Sequence, residues 1–241
     1  RGVAMDRVWQ QADVFLDVLQ RNRLNEPIGT LAAVRQAIRN LRGETRHVTS
    51  LDDADFDEAA FAARIAAFGS RHFAHFYFIL KLQLLYLWGD YDAALAAAAA
   101  SAAYLKDSPG MLHSTEHHFY LALALSARKQ SPRRVRSIQR QFRKWAAECP
   151  ANFLHKSQVL EAEIARTSGH VEDAVRLFRA AEETAAGFGY VNVQALAAQL
   201  AAHTLKTAGR PDDVVAPRDR AVEAYRRWGA SAYADHVAHT I

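Results

Sequence analysis

Chain-breaking residues recur along this sequence at one nearly constant interval, and that interval restricts the folds open to it. Gly89, Gly169 and Gly209 stand 80 and 40 residues apart, and Arg128-Lys129-Gln130-Ser131-Pro132 supplies the missing member near position 129. There Ser131 is expected to cap a helix and Pro132 to occupy its first position. A second series, Gly69, Pro109, Pro150, Gly189 and Gly229, interleaves at steps of 40, 41, 39 and 40. Two interleaved series with one period predict alternating helices of about 15 to 18 residues joined by short turns. The chain then reads as an all-α array of about six antiparallel helical hairpins.

The helices carry matching faces. After Gly169, Val171, Ala174, Val175, Phe178, Ala181 and Ala185 recur at helical steps, while Glu172, Arg176, Arg179 and Glu183 face away. After Ser131 the apolar stripe is Val135, Ile138, Phe142, Trp145 and Ala146. One hairpin leaves such a stripe uncovered, and stacking on the next hairpin buries it. Half of the 241 residues are hydrophobic and alanine dominates them. Alanine favours helix and lets helices approach closely. No apolar run is long enough for a membrane span or a signal peptide. The lone Cys149 excludes an internal disulfide and suits a reducing cytoplasm, the expected location. A net charge of +4 is a small excess, with both signs spread along the chain.

Several hairpins resemble the tetratricopeptide repeat, most closely at Gly89-Asp90-Tyr91-Asp92-Ala93-Ala94-Leu95 and from Gly169, where Ala174, Phe178 and Ala181 stand at the small, aromatic and small positions. The fold class expected is an α-solenoid with a period near 40. Residues 1–241 form a single helical-repeat domain in this reading, with 1–50 a less regular N-terminal hairpin and 51–241 the array. Thr45–Asp57 is a longer polar connection, and Pro217 is expected to shift or kink the start of its helix. Arg1 at the start and the short ending Ala230–Ile241 suggest a fragment of a longer chain.

Few motifs point to chemistry. His113-Ser114-Thr115-Glu116-His117 fits the His-x-x-Glu-His zinc-peptidase pattern, because residues four apart share a helix face. A polar first turn leading into Phe119–Leu125 gives the same pattern, and no third ligand stands at the needed spacing. Asp53-Ala54-Asp55-Phe56-Asp57-Glu58 resembles the start of a calcium loop, but Glu58 occupies the glycine position, which favours helix capping. Cys149 would need an adjacent base to act as a nucleophile, and His155 is the nearest histidine in sequence. Arg133, Arg136, Arg140 and Arg143, with Arg134 and Lys144 nearby, form a basic stripe that suits a polyanion or plain solvation. Nucleotide-binding glycine loops, kinase signatures and a nucleophile elbow do not occur.

A more specific likeness lies in the second half. Trp145-Ala146-Ala147-Glu148-Cys149-Pro150-Ala151-Asn152-Phe153-Leu154-His155-Lys156, then Glu161–Arg166, Ala195–Ala202 and Tyr225–Ala230, resemble the helical region of very large bacterial signalling proteins. That family joins a serine/threonine-kinase-like domain, a STAND-type ATPase, helical repeats, a GAF domain and often a histidine kinase. The likeness spans about residues 40 to 233, and departs at Arg210–Pro217 and Ala232–Ile241. It implies a regulatory segment whose kinase and ATPase centres lie outside this chain, and it carries over Asn152, His155 and Lys156, which also suit bracing of the hairpin after Pro150.

The function expected is a non-catalytic scaffold or sensor that binds a protein segment or small inducer and regulates an attached ATPase or kinase. By tetratricopeptide geometry Gln83, Glu116, Glu163, Arg166, Gln199, His203 and Lys206 line its concave face. Neighbouring domains of the same polypeptide are the other expected partners. No cofactor, metal, membrane or nucleic acid is expected in this reading. The alternatives are RNA or another polyanion on residues 133–144, and a zinc hydrolase at His113 and His117.

Overall fold

A computed structural model describes residues 2–68, 70–108 and 110–241, leaving aside the side chains of Asn25, Glu26, Ala66 and Phe68. Gly69 and Pro109, two members of the second breaker series, lie outside the described residues, as does Arg1. The described chain is helical throughout, without strands. The helices are α1 (Met5–Arg21), α2 (Asn25–Leu41), α3 (Glu58–Phe68), α4 (Arg71–Leu87), α5 (Tyr91–Ala102), α6 (Leu112–Ala127), α7 (Pro132–Glu148), α8 (Pro150–Thr167), α9 (Val171–Gly187), α10 (Val191–Thr207), α11 (Pro211–Trp228) and α12 (Ser231–Thr240). A 3-10 turn, Leu105–Asp107, follows α5. From α7 onward, helix starts advance by about 20 residues, so the 40-residue period is a hairpin of two helices.

The turns explain the period. At Arg23, Gly43, Gly89, Lys129, Gly169, Gly189, Gly209 and Gly229 the backbone is left-handed, with φ between 54° and 97°. At each, two hydrogen bonds close the helix in the same pattern. At Gly169, for example, its N–H donates to Arg166 O and the next N–H, of His170, to Ala165 O. This pair satisfies two carbonyls that the helix end leaves open and reverses the chain at once. Lys129 makes the same bonds, to Ser126 O and with Gln130 N–H to Leu125 O, at a φ of 54° that glycine adopts without strain. Lys129 is therefore the glycine position of the turn expected near 129.

Two expectations change here. Ser131 precedes α7 in a left-handed conformation and makes no capping bond through its side chain; its carbonyl accepts from Arg134 and Val135 N–H, and Pro132 takes the first position. Pro217 neither shifts nor ends its helix, because α11 starts at Pro211 and runs through it. The preceding turn is also regular, with Gly209 N–H on Lys206 O and Arg210 N–H on Leu205 O.

The helices divide between two compact units, Met5–Ala124 and Leu125–Ile241, the latter joined by residues 2–4. In the second, α7 to α12 pack each on the next. Ala162, Ala174, Ala181, Ala185, Ala195, Ala197, Ala202 and Ala221 are fully buried where these helices meet. Only a methyl group stands between the backbones there, so helices approach closely without a cavity. Helix α10 packs on both α9 and α11, and Val193, Leu196, Leu200 and Leu205 are buried along it. Helix α7 instead buries one stripe, Val135, Ile138, Phe142 and Ala146.

The first unit is centred on α4, which buries Phe73, Tyr77, Ile79, Leu82, Leu84, Leu85 and Tyr86 against α2, α3 and α5. Its Thr45–Asp57 connection is an ordered loop. Asn40 Nδ2 donates to Val48 O and Ser50 O, both at 3.0 Å, while Asn40 Oδ1 accepts from Trp88 Nε1 at 2.8 Å. Glu58 accepts from Leu51 N–H at 2.9 Å and from Tyr77 Oη at 2.7 Å, and pairs with Lys81 at 2.7 Å. Burial alone would raise the Asp53 pKa, but bonds from Gln36 and the Asp55 and Phe56 N–H groups, with Arg39 beside it, hold it below the usual value. Asp57 caps α3 by accepting from Ala60 N–H at 2.8 Å.

The turn account is tested at two positions. A Cβ on Gly169 would meet no atom within 4 Å, so Gly169→Ala changes only backbone strain. It should destabilise the second unit by about 1 kcal/mol. Lys129→Gly should stabilise it by about 0.5 kcal/mol, after allowance for the greater freedom of the unfolded chain. Urea midpoints of the two variants moving in the same direction would contradict the account.

Candidate functional site

Within the second unit, α8, α10 and α12 are the alternate helices of successive hairpins, and they bring together five of the seven side chains expected on the concave face. Glu163 on α8 is 1% exposed and is held by both guanidinium nitrogens facing it, Arg166 Nε at 2.8 Å and Nη2 at 2.7 Å. Two charges three residues apart share one helix face, and the fork geometry fixes both. Removal of Arg166 would take away the charge facing the buried Glu163 carboxylate. On α10, His203 keeps contact with solvent, yet partial desolvation lowers its pKa, and Arg166 lowers it further while Glu163 opposes. Three residues on, Lys206 Nζ donates to Thr240 O at 2.7 Å, closing the end of α12.

Gln199, one turn before His203, is the hub of a small network. Its Oε1 accepts from Tyr225 Oη at 2.7 Å, and its Nε2 donates to Tyr233 Oη at 2.9 Å. Both tyrosines are fully buried, with rings 4.8 Å apart and edge-to-face. His236 lies against Tyr233, and burial lowers its pKa. Sequence reasoning did not single out Tyr225, Tyr233 or His236. Their signal was present only as polar-tipped aromatics on an otherwise alanine-rich stretch. Gln83 on α4 and Glu116 on α6, both half-buried, belong to the other unit.

Asn152, His155 and Lys156 stand in the first turns of α8. Asn152 Oδ1 accepts from Tyr190 Oη at 2.9 Å, and the Tyr190 ring lies 4.2 Å from that of His155. His155 is fully buried, neither ring nitrogen has a hydrogen-bond partner, and burial pushes its pKa down to about 3, with Lys156 adding to the effect. Lys156 is also buried. These residues join the start of α8 to the turn before α10. Cys149 sits half-buried between α7 and α8, and no His155 nitrogen is bonded to it.

The other unit holds a histidine cluster that sequence spacing showed only in part. His113 packs edge-on to His72 at 4.9 Å and to His75 at 5.1 Å, and His75 lies 6.4 Å from His117. Residues 72 and 75 share a face of α4 at a three-residue step, a signal that was available and unused. His117 Nδ1 contacts Ser101 Oγ at 3.0 Å and the residue is 1% exposed. Burial drives the His75 pKa down to about 4, with His113 and His72 contributing. Among the described residues no group of three or more His, Cys, Asp or Glu is placed to hold a metal ion. The same unit has a cleft of about 260 Å³ lined by Ile65, Ala74, Tyr77, Phe78, Tyr104 and Arg71. Arg71 there pairs with Asp107 at 2.7 Å. No helix among the described residues is long and apolar enough to cross a membrane.

No family model matches the chain, and no curated protein matches it. Among solved structures, the crystal structure of a Rap protein complexed with competence and sporulation factor is similar, with a TM-score of 0.45 and 9% identity. The match covers 97% of this chain and 78% of the other. The class assigned here, an all-α protein built of helical hairpins, rests on the helices and turns themselves.

The buried imidazole of His155 sets a pH dependence. Its folded pKa lies below the ordinary 6.5, so protons bind the unfolded chain more readily. Stability is full above pH 6.5 and falls as the pH drops toward 3, by about 1.4 kcal/mol per unit. Between pH 6.5 and 5, His155→Phe should remove about 2 kcal/mol of that loss. Urea unfolding at the two pH values reads the difference; an unchanged pH profile in the variant contradicts the burial.

Proposed function

We propose that this chain is a non-catalytic helical-repeat scaffold, a sensor segment that holds an extended protein segment or small inducer on the α8/α10/α12 face and so regulates an attached signalling ATPase or kinase. The reading takes residues 1–241 as one array in the cytoplasm, with neighbouring domains of the same polypeptide as its other partners. One observation carries it. Glu163–Arg166, His203, Lys206 and Gln199 with its two tyrosines form a row of pre-positioned polar groups on alternate helices. Helices packed against one another hold these groups still, so a ligand meets Arg166, Gln199, His203 and Lys206 on an already ordered support, which lowers the entropy lost on binding. An extended chain also matches a row of equivalent positions set one hairpin apart. The likeness of Trp145–Lys156 to bacterial signalling proteins supports the regulatory context.

The test uses linear 12-residue peptides displayed on phage and selected against the full chain. Enriched peptides should bind His203→Ala with Lys206→Ala at least about tenfold more weakly, the loss of roughly 1.4 kcal/mol. Both positions are exposed, so the fold should survive. Failure to enrich any peptide, or unchanged binding to the double variant, would remove this reading.

A further inference from the structure

Helix α7 carries its charge unlike the rest of the second unit. Arg133, Arg134, Arg136, Arg140, Arg143 and Lys144 are all exposed, and Glu148 is the helix's one carboxylate. Among the described residues none of these six cations has a hydrogen bond or ion pair. Elsewhere in the unit the pattern is the reverse. Arg166, Arg176, Arg179, Arg210, Arg218, Arg220 and Arg226 each lie on a carboxylate, and Arg227 donates to Gln194. A unit that sets seven of its other arginines on carboxylates leaves this one ridge without any. The opposite face of α7 is anchored by Val135, Ile138, Phe142 and Ala146, so the ridge stands on a fixed rod.

The chemistry of the ridge selects its partner. Arg133 to Lys144 spans about 16 Å at 1.5 Å per residue. A nucleic-acid duplex presents about ten phosphates over that length. Five of the six cations are arginines, whose planar fork suits phosphate oxygens in pairs. No large apolar side chain is exposed on α7, so nothing there would enter a lipid surface or anchor in a protein pocket. Trp145, its one indole, packs on Phe142 and Phe153 and is not presented for stacking on single-stranded bases. We propose that the outer face of α7 docks on the phosphate backbone of duplex nucleic acid without reading its bases. This surface is independent of the α8/α10/α12 row.

The experiment measures fluorescence anisotropy of labelled 20-base-pair RNA and DNA duplexes with the full chain at salt from about 50 to 200 mM. Binding should weaken with a slope of log K against log salt of about −4, as four or five neutralised phosphates require. Arg136→Glu with Arg140→Glu should weaken binding at least about tenfold at the lowest salt and reduce the slope by about two. Arg176→Glu with Arg218→Glu changes net charge equally and should leave binding within about twofold. Circular dichroism establishes that both variants keep their helices. No duplex binding at the lowest salt would overturn the proposal. So would an equal loss in the control pair, or tighter binding to polyglutamate or to phosphatidylserine vesicles than to duplex.

Discussion

The left-handed turn that closes α1, α2, α4, α6, α8, α9, α10 and α11 is the constraint on which the rest of this structure depends. It closes two open carbonyls and turns the chain back after about five turns of helix, leaving the next helix beside the last. Helices so placed cannot wander apart, and their apolar stripes have one neighbour on each side to cover them. The alanines follow from that arrangement. With successive rods from α7 to α12 joined by one to three residues, the backbones are already close, and a larger side chain at Ala174 or Ala197 would have to push them apart. Lys129 demonstrates that the turn geometry, rather than glycine itself, is what the array requires.

Polar groups are placed by the same stacking. The α8/α10/α12 row exists because alternate helices repeat the same orientation, so a polar residue on one stands beside a polar residue on the next. Glu163 and Arg166 tolerate their setting because each satisfies the other, and Gln199 because two tyrosine hydroxyls meet its amide. His155 and His75 are satisfied differently: they remain neutral, at a cost that grows as the pH falls. In the unit before Ala124, buried polar groups serve a loop. Asn40, Gln36 and Glu58 supply the hydrogen bonds that Thr45–Asp57 cannot make to itself.

Legibility in the sequence tracked the range of the interaction. Helix positions depended on turn residues and local periodicity, and both were visible. Pro217 does not set the start of its helix, because Pro211 opens α11 at its first position and puts Pro217 well inside it. Ser131 looked like a cap because of its residue type, but the adjoining left-handed turn directs its backbone elsewhere. For the acidic run from Asp53, Glu58 at the glycine position already favours capping over a metal loop; the partners of Asp53, Gln36 and Arg39, come from the fold, while Asp57 meets the start of α3. The three-residue step of His72 and His75 is local, but their meeting with His113, about 40 residues away, follows no local rule.

By itself the sequence determined the helices, their length and their pairing into hairpins, because these follow from breakers, caps and apolar periodicity that act over a few residues. It also determined that five of the six cations on α7 would be arginines on a face without carboxylates. Tertiary structure alone decided which polar groups meet across helices. The union of Gln199 with Tyr225 and Tyr233, the packing of Tyr190 on His155, and the pairing of Arg220 with Glu182 depend on neighbours 26 to 38 residues away. Such distances are set by how one hairpin lies on the next, which local sequence pattern does not encode.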